Sequence, residues 1–392
     1  MSEGANREVH PAVFVLDERG HPLDLCHPAR ARRLPAVGRA VVVRHPPFVI
    51  RLKDRSVADS TVAGVQVGID PGSKHTGLAI FTDRDGSRTG RYAIQFDHRG
   101  AAIRDKPASR AAYRRGRRSR NLRYRASRFS NRTKPKGWLA PSLRHRIETT
   151  MSQVARLTRW VPVIAVHVEK VSFDTHALSA GKPLEGVEYR QGTLAGYEVR
   201  EYLLAKWGRT AAVNATRWAL WRALEATGLP VATASGGRTK WNRSRTGAAK
   251  SHTLDALHVG DLDTVTTWPS TVLVAKATGR GSYARTRTDR YGFPRLRLPR
   301  TKQVKGFATG DLVRATVPTG KKAGVHTGRV AVRSTGSFNI TTRHGTVQGV
   351  GHRHARLLQR ADGHGYTTHP EARHGAASPP PPEGGGIHTG GT

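Results

Sequence analysis

Apolar residues alternate with small or polar ones along Val65-Gln66-Val67-Gly68-Ile69, the period-two pattern of a half-buried strand. Asp70 and Pro71-Gly72 follow, and after one tight turn a second apolar run extends from Gly77 to Phe81. The pair reads as a hairpin whose first strand carries a carboxylate, and RYAIQF further on extends it into a meander over residues 65–97. Upstream, AVFVLD and AVVVRHPPFVIRL give strand signals around HPARARRLPAVGRA, which reads as a short basic helix. Residues 12–53 are therefore expected to form a small αβ unit.

Beyond the meander the period changes. Leu143, Ile147, Met151, Val154 and Leu157 fall on one stripe, predicting an amphipathic helix over 142–160 with Ser142 as N-cap. The run 161–170 (VPVIAVHVEK) is short and β-branched, which predicts a strand ending in Glu169, with Asp174 a rival acid just past it. Residues 197–207 and 213–227 read as helices, LPVATAS as a strand, and GGRTKWNRSRTGAAK as a basic loop. In SHTLDALHVGDL, residues 251–262, Leu254, Leu257 and Val259 give a helical stripe, with Asp255 three residues after His252. From about 265 to 361 short apolar strands alternate with Gly-rich turns, as in a small SH3-like barrel. The stretch from 363 to 392, with SPPPPEGGG, has no apolar period and is expected to be a disordered tail.

Charge narrows the partners. The 392 residues carry a formal net charge of +38, which calls for a polyanion, with nucleic acid as the leading choice. No apolar run reaches the 18 residues a membrane span requires. A single cysteine, Cys26, excludes a disulfide framework and a cysteine-based zinc site, so the chain reads as soluble and intracellular. The charge is concentrated in two places. Over 109–132, Arg110, Arg114, Arg115, Arg117, Arg118, Arg120, Arg123 and Arg125 point all round a helix, interleaved with Tyr113, Leu122, Tyr124 and Phe129. No face of such a helix can enter an apolar core, whereas nucleic acid can grip it on several sides, so these arginines are expected to bind RNA. Farther on, Arg285, Arg287, Tyr291, Arg295 and Arg297 mix guanidinium and aromatic groups in a pattern suited to DNA backbone and groove contacts.

The remaining question is why strands and a helix should end in acids. Taken singly, an Asp before Pro-Gly is a turn residue and a Glu at a strand end a surface charge. Together, Asp70, Glu169 and Asp255 form the set that two-metal phosphodiester chemistry needs. Crowded carboxylates raise one another's pKa, and two divalent cations remove that repulsion, activate a water and stabilise the leaving oxygen. His252 is a fourth candidate for a ligand or a phosphate-positioning group.

Three segments, GIDPGSKHTGLAIF, AVHVEKVSF and SHTLDAL, resemble the split pieces of a RuvC-type nuclease, an RNase H-like fold. The Arg-rich helix resembles the bridge helix of RNA-guided nucleases. The leading unit, with YRQGTLAGYEVREYLLAKWGRT, NATRWAL and GGRTKWNRSRTG, resembles the IscB group of transposon-encoded proteins over residues 12–360. Two positions depart from that group. Pro22-Leu23-Asp24-Leu25 replaces its Pro-Leu-Met-Pro, and after Lys206-Trp207-Gly208-Arg209, where IscB proteins carry an HNH nuclease, the chain passes directly to Ala211. The pattern is similar to the IsrB branch, which has a RuvC site alone.

The resemblance implies an α/β protein: a split RuvC (RNase H-like) core with an Arg-rich bridge helix, a small N-terminal αβ domain and a C-terminal SH3-like β-barrel. Its segments would be 1–55, 64–98 (RuvC I), 101–133 (bridge helix), 140–210 (RuvC II), 211–262 (RuvC III), 265–361 (reading a short motif beside the target) and the 363–392 tail. It further implies Asp70, Glu169 and Asp255 as ligands of two Mg²⁺ ions, with Mn²⁺ able to substitute. The expected partners are a structured guide RNA and double-stranded target DNA, bound by a monomeric ribonucleoprotein in a prokaryotic cytoplasm. The competing readings are a non-catalytic RNA-binding protein and a RuvC-like junction resolvase.

Overall fold

A computed structural model of the chain describes residues 7–119, 137–170, 214–279, 289, 293 and 303–372. The leading strand β1 (Arg7–Val9) lies at the edge of the largest sheet, while β2 (Val13–Leu16), β3 (Pro22–Cys26), helix α1 (Pro28–Ala36), β4 (Ala40–Arg44) and β5 (Val49–Leu52) form the expected αβ unit. Its four strands run in the order β3-β2-β5-β4, and α1 seals their apolar face with Ala31 and Leu34 against Val13, Val15 and Ile50.

The predicted meander is present as β6 (Val65–Pro71), β7 (His75–Arg84) and β8 (Ser87–Asp97), paired antiparallel with Asp70 opposite Gly77. Helix α2 (Gly100–Ser119) carries the first of the clustered arginines, and α3 (Pro141–Leu157) is the amphipathic helix. Its cap is Ala140 rather than Ser142, because Pro141 occupies the first turn, where a missing N–H costs nothing. Strand β9 (Val163–Glu169) then runs parallel to β6, followed by α4 (214–225), β10 (Val231–Ala234) parallel to β9, α5 (Gly236–Arg245) and the short α6 (His252–Leu257). The strand order β8-β7-β6-β9-β10 thus joins an antiparallel meander to two parallel strands at β6.

Both faces of this sheet are covered, which explains its strand patterns. Val65, Val67, Ile69, Leu78 and Ile80 point to one side, where α3 and α4 supply Val154, Leu157, Leu220 and Leu224. Phe81 and Ala79 point to the other, against Leu254, Ala256 and Leu257 of α6.

Three expectations need correction. The basic loop GGRTKWNRSRTG is helix α5: the Ser235 hydroxyl accepts from Arg238 N at 3.2 Å as N-cap, and Thr239 and Asn242 are buried. The boundary at 265 fails because β11 (Thr264–Pro269) and β12 (Thr271–Ala277) both pair with β8 in the large sheet. The last region begins instead with β13 (Gln303–Val304) and β14 (Phe307–Ala308). It continues as β15 (Leu312–Val317), β16 (Gly324–Ala331), β17 (Ser337–Thr342), β18 (Gly345–Gly351) and β19 (Ala355–Gln359). The last five make an antiparallel sheet in the order β18-β17-β16-β15-β19. Finally, the tail assigned from 363 begins with an ordered strand, β20 (His364–Pro370), which returns to pair antiparallel with β12. No helix among the described residues is long and apolar enough to cross a membrane.

Candidate active site

The strand register places the first two acids. Ile69 pairs with Val168 across the parallel β6–β9 ladder, so Asp70 and Glu169 follow side by side at the carboxyl ends of adjacent strands. Because Ile69 and Val168 face the α3–α4 core, both acids face the opposite side, where α6 lies. The carboxyl end of β6 is also where the sheet changes from antiparallel to parallel, the kind of switch point at which α/β sheets open a crevice for ligands.

Two glycines bring α6 onto that face. A Cβ on Gly68 would stand 1.8 Å from Ala256 O, and one on Gly77 1.8 Å from His252 O, so only glycine lets the helix backbone lie this close to the hairpin. The result is direct contact between two of the predicted residues: the His252 Nδ1 and Asp70 Oδ2 atoms are 2.5 Å apart. Asp255, one turn on, pairs with Arg243 of α5. The short helix is pinned at both ends. Its N-cap Ser251 accepts from Leu254 N at 3.0 Å, and the Ser251 and Thr253 hydroxyls donate to the buried Glu371 at 2.8 and 2.6 Å. After its last turn, the fully buried Arg88 donates to Leu257 O and Val259 O at 2.9 and 2.7 Å, and Asn242 donates to His258 O at 2.8 Å.

The electrostatics show how crowded the acids are. Burial, then the neighbouring Asp70 and Asp255 charges, push the Glu169 carboxyl up to about 7, against the opposing pull of Arg217 and a hydrogen bond from Thr239. Burial also raises Asp255, opposed by Arg243, while the bond to Asp70 raises His252. Beside this group the His75 ring sits 5.9 Å from the His252 ring and is itself held by Asp97 at 2.7 Å.

An oxygen-only set of three carboxylates suits a hard divalent cation, and their mutual repulsion is what such a cation would relieve. Asp70, Glu169 and Asp255 therefore fit as its holders in chemistry. Their spacing is wider: among the described residues no three acidic, histidine or cysteine side chains stand at metal-ligating distance, with Asp70 turned onto His252 and Asp255 onto Arg243.

Of the four predicted active-site residues, His252 contacts Asp70 directly, while Glu169 and Asp255 lie near enough to interact electrostatically with Asp70. Of the expected RNA-binding residues, Arg110, Arg114, Arg115 and Arg118 project into solvent from α2, and the Arg117 backbone is helical. Arg120, Arg123, Arg125, the rival Asp174, and the DNA-contact set Arg285, Arg287, Tyr291, Arg295 and Arg297 lie outside the described residues. Sequence reading missed Arg217, Thr239 and Arg243, which act on the acids, and Glu371, which holds α6. Nothing in the local pattern distinguishes these arginines from the others, although the Ser235 cap signal could have revealed α5 and with it Thr239 and Arg243.

A family model described as RRXRR protein matches residues 13–192, a little under half of the chain. The pattern that description spells stands within this span as Arg114-Arg115-Gly116-Arg117-Arg118. Among solved structures, similarity is found to RuvC of T. thermophilus in complex with Holliday junction substrate, at 16% identity and a TM-score of 0.22, covering 50% of this chain and 89% of that one. A second Thermus thermophilus RuvC structure gives 19% identity and a TM-score of 0.20 over 50% of this chain and 90% of that one. No curated protein matches the sequence.

Proposed function

We propose that this protein is an RNA-guided DNA nickase, in which a guide RNA pairs with one strand of a target duplex and the acid cluster cuts the displaced strand. The observation that carries the reading is the convergence of Asp70, Glu169 and Asp255 from two strands and a helix onto one end of the sheet, where burial and the neighbouring Asp70 and Asp255 charges raise Glu169, and burial and the Asp70 charge raise Asp255. The order β8-β7-β6-β9-β10, a meander followed by two parallel strands, is the one expected of an RNase H-like core. The outward arginines of α2 and a net charge of +38 supply the grip on a polyanion.

In this reading Asp70, Glu169 and Asp255 hold two Mg²⁺ ions, which when bound supply water activation and stabilisation of the leaving oxygen. The protein's own part is orientation. His252 fixes the Asp70 carboxylate, and Arg243 fixes that of Asp255. Arg217 offsets the negative charge felt by the half-buried Glu169. One acid cluster implies one cut strand per event. Sequence recognition falls to base pairing, and the protein holds the heteroduplex by its backbone.

The test is strand-resolved cleavage of supercoiled plasmid by protein purified with its co-expressed RNA. A nick in the non-target strand that moves when the guide sequence is changed supports the reading. Cleavage of four-way junctions without any guide would favour a resolvase, and absence of Mg²⁺-dependent cleavage would favour a binding protein.

A further inference from the structure

A cleft of about 260 Å³ opens immediately beyond Asp70, at the carboxyl end of β6. Its rim is the Pro71-Gly72-Ser73 turn, and its walls come from α3, through Arg146 and Thr150, and from α4, through Thr216 and Arg217. It adjoins the acid cluster at two points. A Cβ on Gly72 would lie 2.8 Å from the His252 ring, so the turn packs directly on the residue that holds Asp70. Arg217 is shared, since it lines the cleft and interacts electrostatically with Glu169 and Asp70.

The wall chemistry narrows the occupant. Here Pro71, Ile147 and Leu220 supply apolar wall, while the titratable lining side chains are both guanidiniums, accompanied by the hydroxyls of Ser73, Thr76, Thr150 and Thr216. Arg217 already answers the acids. Arg146 answers no acid: it is half-buried, burial is the one influence that lowers its pKa, and its Nε is enclosed without a hydrogen-bond partner among the described residues. A cation drawn out of water with no counter-charge is costly, and an arriving anion would remove that cost. Against the roughly 30 Å³ that one water occupies in the liquid, the cleft has room for a phosphate and part of its sugar.

Resting on the nuclease reading above, we propose that this cleft seats a non-scissile backbone phosphate of the strand being cut, with Arg146 as its partner. The contact fixes how far along the strand the scissile bond stops over the acids. Arg146 is thus a register-setting residue: it touches the substrate at a phosphate that does not react.

The experiment replaces phosphates around the nick position one at a time with neutral methylphosphonates. Binding of the DNA to the ribonucleoprotein is then measured in Ca²⁺ for wild type, Arg146→Ala and Arg146→Lys. In wild type, one non-scissile position should lose about tenfold in affinity, as expected for a charge-assisted contact. Arg146→Ala should lose a similar factor on unmodified DNA and become indifferent to substitution at that position. Arg146→Lys should keep part of the sensitivity, and in Mg²⁺ the alanine variant should nick at scattered positions. Position sensitivities unchanged by Arg146→Ala would overturn the assignment. So would protection of wild type, but not Arg146→Ala, by millimolar inorganic phosphate with no position effect in the scan, which would give the cleft to a free anion. Wild type that nicks unmodified DNA while failing this scan would sink the phosphate seat and leave the nuclease reading standing. Wild type that never nicks would remove both.

Discussion

The acid end of the large sheet and the five-stranded sheet β15–β19 are built to opposite rules. The second buries Val313, Ala315, Val330, Phe338, Ile340 and Val350 together, a core of carbon alone. Its buried carboxylate, Asp311, is well supplied, accepting from Ala308 N, Ala361 N and Arg360 at 3.0, 2.9 and 2.9 Å. At the acid end, burial and then the neighbouring Asp70 and Asp255 charges raise Glu169 to about 7, and the backbone of α6 is pressed against two glycines. The first arrangement maximises stability; the second tolerates repulsion because its neighbours over-determine the geometry. The last described strand, β20, connects the two regions, since the chain leaves β19, pairs along β12 and then brings Glu371 to Ser251 and Thr253 of α6.

The largest expected effect separates the two regions. Phe338→Ala, at a fully buried position, should cost about 3–5 kcal/mol. Hydrogen exchange should show protection lost over 312–359 and kept over 65–97. Loss in both would mean that they are one cooperative unit. At the acid end, Gly77→Ala forces a Cβ onto His252 O, and overpacking of that kind should cost roughly 3 kcal/mol in denaturant unfolding. It should also abolish nicking, because it lifts the helix that carries Asp255; retained nicking would show that the close approach is not required.

A pH effect should appear on the large-sheet side. Burial lowers the fully enclosed His258 to about 4, below its value of about 6.5 in an unfolded chain. Between those limits the unfolded chain takes up a proton that the folded one refuses. Stability should therefore fall by about 1.4 kcal/mol per pH unit as pH drops from 6.5 towards 4, and no further from this group below it. Comparing unfolding midpoints of wild type and His258→Asn across pH 7 to 5 checks this: the variant's slope should be flatter by that amount. The smallest effect is expected from Glu371→Gln, which keeps one acceptor for two hydroxyls and should cost about 1 kcal/mol. A null result there would mean that β20 does not support α6.

Much of the acid end was legible in the sequence because strand period, turn residues and the Ser251 cap are local signals. The alternation around Asp70 and the β-branched run ending in Glu169 survive intact in the structure, while the helix beside Asp255 stops at Leu257 and leaves Val259 of the predicted stripe outside it. What stayed hidden depends on tertiary approach. With 66 Lys and Arg in the chain, no pattern shows that Arg88, Arg217 and Arg243 turn inward while Arg110, Arg114, Arg115 and Arg118 of α2 turn outward. The strand pattern gives no sign that Gly68 and Gly77 lie against the backbone of α6. Strand β20 was missed because His364-Gly365-Tyr366-Thr367-Thr368 has few apolar residues, and its order comes from pairing with β12 rather than from its own pattern.

The most direct measurement compares wild type with Asp70→Asn in strand-resolved plasmid nicking at saturating Mg²⁺, with target binding measured in parallel. Asparagine preserves shape and can still meet His252, but it removes the charge at the carboxyl end of β6. Guide-dependent nicking lost with target binding retained is the expected result. Nicking that persists in Asp70→Asn would contradict the assignment of this acid cluster as the catalytic centre.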